Sequence, residues 1–264
     1  MPELAELKFT ADYINQVSKD TEYLSSSKNP QHKCLDLDIP FNKFKLSANS
    51  RGKEIVLEVK DVDSNEVIPI RWTMGMSGYF KLTSTGLEHK HTHMKFHTAD
   101  GRTLSFVDVR RFGKWKQGVA WNKDRSPDPT YEFDEFKAHI KNNLHRVIFS
   151  RPIYETLMDQ RFFNGIGNYL RAEILYRIPT LDPSTTGREA IASHPEVLDF
   201  CRDMPLLAYK KGGGNIKDWN NPFDSTDETH GNFMICYGRR GMSQLVDKNG
   251  RRFWYDSKWD PLIN

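Results

Sequence analysis

Cysteine is scarce in this chain of 264 residues: Cys34, Cys201 and Cys236 lie far apart and form no CxxC pair. Such spacing offers no standard zinc site, and an odd number argues against a disulfide framework. Three reduced thiols in an intracellular protein are expected, with nuclear, cytoplasmic and viral settings equally compatible. No apolar run approaches the roughly 20 residues of a membrane span. Met1-Pro2-Glu3 lacks a basic stretch followed by an apolar one, so no signal peptide is expected. A large excess of one charge is also missing. The 38 basic and 35 acidic residues give a net charge of +3, which permits a nucleic-acid partner without arguing for one. There is no internal repeat and no low-complexity tail. What remains is 38% hydrophobic and 28% charged, the profile of a globular protein long enough for one large domain or two small ones.

The pattern along the chain predicts an α+β protein in two parts. Residues 3 to 18 read as an amphipathic helix, with Leu4, Leu7, Ile14 and Val17 near helical spacing. From about 32 to 120 come short strands, including 55–59, 78–82 and 104–109, with turn signals at Ser64-Asn65 and Asp100-Gly101. This half is expected to be a β-sandwich capped by the first helix, spanning 1–121. Residues 122–132, polar and holding Pro127 and Pro129, read as a linker. The part 133–264 reads as helical, with helices over 133–146, 152–160, 167–177 and about 195–208. A flexible loop follows at 210–215, and a hairpin at 244–255 turns at Asp247-Lys248-Asn249-Gly250, where Asn-Gly favours a tight turn.

Several segments carry a resemblance. The longest is Asp159 to Arg177, DQRFFNGIGNYLRAEILYR. It is joined by Pro2-Glu3 with Glu6, Arg51-Gly52-Lys53-Glu54, Met74-Gly75-Met76-Ser77-Gly78, Phe106 to Gly113 (FVDVRRFG) and Tyr237-Gly238 through Trp254. In order and over nearly the whole chain, these resemble the Fpg/Nei family of bifunctional DNA glycosylases, in particular its Nei-like type one enzymes. The resemblance implies base-excision repair of damaged DNA. Its substrates would be oxidised pyrimidines, ring-opened purines, further-oxidised guanine products and abasic sites. It also implies a helix–two-turn–helix element, no cofactor, and a metal-free hairpin in place of a zinc finger. The expected partner is damaged DNA, bound by a monomer away from membranes.

The residue chemistry agrees with that reading. With Met1 removed, Pro2 carries a free secondary amine. Attack on C1′ of deoxyribose gives an iminium ion, an electron sink for loss of the 3′ and then the 5′ phosphate. The amine attacks only when unprotonated. Free α-amino groups titrate at about 7.7–8.0, and a helix opening at Pro2 would disfavour the protonated form. By itself, proline at a first helical position is ordinary. Glu3, beside it, suits general acid–base work, although a glutamate there also merely complements a helix dipole. Glu6 is a further candidate, as readily a surface carboxylate. In the resemblance Lys53 contacts phosphate near the lesion, a task suited to a mobile point charge; alone, a strand-end lysine is usually solvated. Met76, Arg110 and Phe112 match the residues that fill the gap left by a flipped base, and exposure would separate that role from core packing. Asn164 to Asn168 lead into a helix near Gly167, where backbone N–H groups attract phosphate; in the resemblance Asn168 contacts the DNA backbone, and Asn164 is an additional candidate. Arg251, with Arg252 as an adjacent alternative, matches the phosphate-gripping arginine of the finger.

The chain also departs from the family pattern. It begins Pro2-Glu3-Leu4-Ala5-Glu6 without a second proline, and its loop 210–222 differs most, which leaves lesion preference open. Two other readings stand beside the enzyme: a damage-recognition module without catalysis, and an RNA-binding protein using the helical element alone.

Overall fold

The computed structural model describes residues 2–214, Phe223 and 233–260, so most of the distinctive loop 210–222 lies outside the described residues. Two compact units emerge. One holds Pro2, Glu6–Asn122 and Phe223; the other holds Glu3–Ala5, Lys123–Gly214 and 233–260.

The first unit is built on one antiparallel sheet of eight strands: β1 (Tyr23–Lys28), β2 (Phe44–Arg51), β3 (Glu54–Asp61), β4 (Val67–Thr73), β5 (Tyr79–Ser84), β6 (Thr92–Thr98), β7 (Arg102–Val107) and β8 (Lys114–Gln117). Their order is β5-β7-β6-β1-β2-β3-β4-β8. β4 and β7 stand five places apart, about 24 Å in a flat sheet. Yet Trp72 of β4 lies 5.0 Å, ring to ring, from Phe106 of β7 and 5.3 Å from Phe80 of β5. The sheet therefore folds over on itself, and the predicted sandwich is a single continuous sheet. The corner is β1, which pairs with β2 only at Tyr23↔Phe44 and is irregular between Tyr23 and Ser25, as strands that pass between layers are. Strand β2 shows why the layers close: Phe44, Leu46 and Ala48 alternate inward with polar residues outward.

Helix α1 (Leu4–Ser18) buries Leu7, Ala11, Tyr13 and Ile14 in this core. It is tied to both halves of the sheet. The Tyr13 hydroxyl accepts from Leu82 N of β5 at 2.9 Å, and Asn15 exchanges two hydrogen bonds with Ala48 of β2. The helix begins at Leu4, so Pro2 stands before it and not at its first turn.

The second unit is helical: α2 (Phe133–Asn143), α3 (Ile153–Thr156), α4 (Asn168–Tyr176), α5 (Gly187–Ser193) and α6 (Glu196–Lys210), with the hairpin β9 (Met242–Val246) and β10 (Arg252–Asp256). Its core includes Phe136, Ile140, Phe149, Phe163, Leu170, Ile174, Val197 and Cys201. The stretch expected as a helix over 152–160 holds a single turn, because Asp159 closes it: its carboxylate accepts from Arg161 N and the Arg161 guanidinium. Residues 122–132 are not loose. Ser126 and Asp128 are buried, Ser126 Oγ accepts from Asn164 N, and Asp128 accepts from Thr130 N and Tyr131 N.

The hairpin turn differs from the tight Asn-Gly form expected. Gly250 N donates to Asp247 O, Asp247 N donates to Arg251 O, and Gly250 has φ 72°. This is the longer loop in which a left-handed glycine follows the turn.

Candidate functional site

In the sandwich unit, Lys53 sits at the tip of the β2–β3 hairpin. Arg51 pairs with Glu54, which leaves Gly52 and Lys53 as a two-residue loop. Gly52 has φ 56°, the positive value that the first residue of a II′ turn requires. The turn presents a half-buried Lys53 on a fixed base. Next to it, the buried Glu54 accepts from Asn122 N and lies 3.7 Å from Arg71.

Met76, Arg110 and Phe112 are brought together by two loops that share one buried carboxylate. Asp108 Oδ1 accepts from the Ser77 hydroxyl at 2.5 Å and from Arg110 N at 3.2 Å; Oδ2 accepts from Gly113 N at 2.7 Å. Its carbonyl meets His93 Nε2 at 2.9 Å. The loops touch where a side chain would not fit: a Cβ on Gly75 would lie 2.6 Å from Gly113 N. Phe112 is 53% exposed, and the Arg110 guanidinium lies over its ring at 5.1 Å. Between them Arg111 has φ 56°, an uncommon value for a residue with a Cβ and a local cost of order 1 kcal/mol. Met76 is half-buried. Beneath the loops His93 and His32 are buried beside Trp115, on which His32 stacks at 4.3 Å. Burial first, then neighbouring positive charge, lowers the pKa of His32; burial also lowers that of His93, against the Asp108 contacts.

In the helical unit, Glu3 is 2% exposed and lies against the start of α4. Its two carboxylate oxygens accept from Tyr169 N (3.0 Å) and Leu170 N (3.2 Å), and Leu4 N donates to Gly165 O at 3.2 Å. Gly167, the cap residue, has no side chain to serve these amides, so a carboxylate 164 positions earlier does so at the positive end of the helix.

The Asn168 side chain is already engaged. Nδ2 donates to Arg252 O at 2.9 Å, and Oδ1 accepts from Arg171 at 2.6 Å. Asn164 is buried, its Oδ1 accepting from Arg125 and its Nδ2 donating to Ser126 O. Arg251 is exposed beside the hairpin turn. Glu6, fully buried, is no surface carboxylate; its carbonyl accepts from Thr10.

Sequence reasoning missed Arg171, Glu173 and Asp247. Glu173 Oε1 accepts from Cys236 N and Tyr237 N, and Oε2 from Ile235 N and Arg177. One buried carboxylate thus ties the lead-in of the hairpin to α4. Within the hairpin, 242–256, there is no cysteine or histidine. Among the described residues no cluster of three or more potential ligands could hold a metal ion, and no helix is long and apolar enough to cross a membrane.

Residues 1–115 match the formamidopyrimidine-DNA glycosylase N-terminal domain, and residues 230–263 match the DNA-binding domain of endonuclease VIII-like 1. The chain belongs to the Fpg/Nei family of DNA glycosylases. Within that family it is similar to "Endonuclease 8-like 1" of Homo sapiens, 34% identical over 300 aligned positions that cover 99% of this chain and 74% of the human protein. The Mus musculus protein of the same name is 33% identical with the same coverage. In fold it matches a complex between Lactococcus lactis Fpg and DNA containing an abasic site, with a TM-score of 0.78 at 21% identity over 96% of this chain and 97% of that one.

Proposed function

We propose that this chain removes oxidised bases from DNA and then cuts the strand at the resulting abasic site, with Pro2 as the nucleophile. The amine of Pro2, freed by removal of Met1, attacks C1′ as the glycosidic bond breaks, and the base leaves with a proton. The bonded nitrogen then gives up its proton, and the freed lone pair forms the C1′=N iminium bond as the C1′–O4′ bond of the sugar ring breaks and O4′ takes a proton. Loss of a C2′ proton then expels the 3′ phosphate, and a second elimination expels the 5′ phosphate.

The single observation that carries this reading is the fixed carboxylate of Glu3, one residue from the amine. Its side chain is locked by two amide hydrogens of α4. A rigid proton-transfer group beside a nucleophile is what base departure demands. In this reading Lys53 contacts phosphate near the lesion, and the exposed Phe112 with Arg110 and Met76 fills the gap in the duplex. Arg251 grips phosphate from the hairpin. Asn168, its side chain engaged within the protein, contributes by shaping the backbone approach to phosphate. In the same reading residues 1–121 are the catalytic domain and 133–264 the DNA-gripping domain, joined by 122–132. The protein works as a monomer, in the nucleus or cytoplasm, without metal or cofactor.

The test is covalent capture. Borohydride added during reaction with a duplex carrying a defined oxidised base should link protein to DNA, and Pro2→Gly should greatly reduce the adduct. Binding to such a duplex without adduct or strand cleavage on any oxidised or abasic substrate would favour a recognition module without catalysis.

A further inference from the structure

Arg171 is a buried cation whose charge is answered at the turn of the hairpin. Its side chain is fully buried on α4, Nη1 donates to Asp247 Oδ2 at 2.9 Å and to Tyr154 O at 3.0 Å, and Nη2 donates to Asn168 Oδ1 at 2.6 Å. Nε is buried without a hydrogen-bond partner among the described residues, and the guanidinium lies 5.2 Å from the Phe253 ring centre. Asp247, also buried, divides its carboxylate. Oδ2 takes Arg171, while Oδ1 accepts from Asn249 N at 2.9 Å and from Arg251 N at 3.0 Å. Asp247 N in turn donates to Arg251 O at 2.8 Å. Both backbone polar groups of Arg251 are therefore held by the residue that neutralises Arg171.

We propose that Arg171 and Asp247 are positioning residues that set the place of Arg251 for its grip on a DNA phosphate. This rests on the reading of Arg251 as a phosphate contact. Three features favour a positioning role over simple cohesion. The ion pair joins the helix whose first turn holds Glu3 to the turn that holds Arg251, so α4 is tied to both. The carboxylate contacts the backbone of Arg251 itself. The hairpin has no cysteine or histidine to fix it through a metal. A buried charge hydrogen-bonded to the Asp247 carboxylate also permits few alternative placements of the turn.

The test is a double-mutant cycle on the full chain, read as affinity for a duplex carrying a tetrahydrofuran abasic analogue. Arg251→Ala should weaken binding about tenfold and lower the salt slope by about one counterion. Asp247→Asn should do the same. The double variant should be about tenfold weaker than the parent and not a hundredfold, because the two act on one contact. Borohydride capture at saturating enzyme should change less than twofold in Asp247→Asn, a separation that a general loss of structure would not give. Should melting show Asp247→Asn to be partly unfolded, Arg171→Lys replaces it in the cycle; it keeps the charge but not the planar fork, and a loss of about threefold, again non-additive, is expected. Multiplicative losses, or a parent-like salt slope in both positioning variants, would overturn the positioning role while leaving Arg251 as a phosphate contact. Unchanged affinity in Arg251→Ala would remove the phosphate contact and the positioning proposal together.

Discussion

Glu3 caps a helix that begins more than 160 residues after it: its carboxylate receives Tyr169 N at 3.0 Å and Leu170 N at 3.2 Å. Glu3 is thereby fixed by its side chain within the helical unit, and the amide of Leu4 on Gly165 O adds a second tie. The residue that the sequence marks as a candidate for proton transfer is thus also the cap of α4.

Two roles for one carboxylate predict a split phenotype. Glu3→Gln keeps an acceptor but loses the charge at the α4 dipole, so the melting free energy should fall by about 1–2 kcal/mol. Excision of an oxidised base should fall by about 10²-fold or more, since base departure needs a proton. Borohydride capture on a preformed abasic site, which has no base to release, should fall much less. Equal losses on both substrates would argue that Glu3 is only a cap.

Phe112 and Asp108 should separate function from stability. Phe112 is exposed, so Phe112→Ala should change stability by no more than about 0.5 kcal/mol. Excision from duplex DNA should still slow markedly, with a smaller effect on single strands, where no stacked gap needs filling. Asp108→Ala strands the Ser77 hydroxyl and the amide of Gly113, while Arg110 N keeps Ser77 Oγ as an acceptor. It should cost about 2–4 kcal/mol in thermal or urea unfolding and impair duplex excision as well.

The histidine pair gives a pH dependence whose sign is fixed. Burial lowers the folded pKa of both His32 and His93 below the ordinary 6.5. The unfolded chain therefore binds more protons just below pH 6.5, and the stability the pair confers is complete above that value. It is lost as pH falls from 6.5 through the folded pKa values. Urea midpoints measured from pH 8 to 5 should fall through this window, and His93→Gln should flatten the fall.

Thiol chemistry should sort the three cysteines by burial. Burial raises the Cys236 thiol to about 12 and pushes Cys201 higher still, while Cys34 is only partly buried. An aromatic disulfide reagent at pH 8 should modify one thiol quickly in the native protein and three after denaturation. Activity should survive metal chelators in the same assay.

Much of this was legible in the sequence where the signal is local. The first helix follows from apolar spacing, the hairpin from paired apolar strands about a polar turn, and α4 from the glycines ahead of a helical run. Helix α5 escapes the apolar-spacing signal although the Thr186-x-x-Glu189 start signature is present: Thr186 Oγ1 accepts from Glu189 N and donates to the Glu189 carboxylate. Strand β1, Tyr-Leu-Ser-Ser-Ser-Lys, carries little apolar signal because it turns the corner of a folded sheet and buries mainly Tyr23. Arg171 with Asp247 and Ser77 with Asp108 could not be read, since each pairing joins residues 76 and 31 positions apart and depends on the fold to bring them together.

The central claim concerns a single nitrogen. Borohydride-trapped protein–DNA adduct, digested with protease and nuclease and mapped by tandem mass spectrometry, should carry the deoxyribose remnant on the amine of Pro2 at a peptide N-terminus lacking Met1. A remnant found on Lys53 or any other lysine, with Pro2 unmodified, would contradict it.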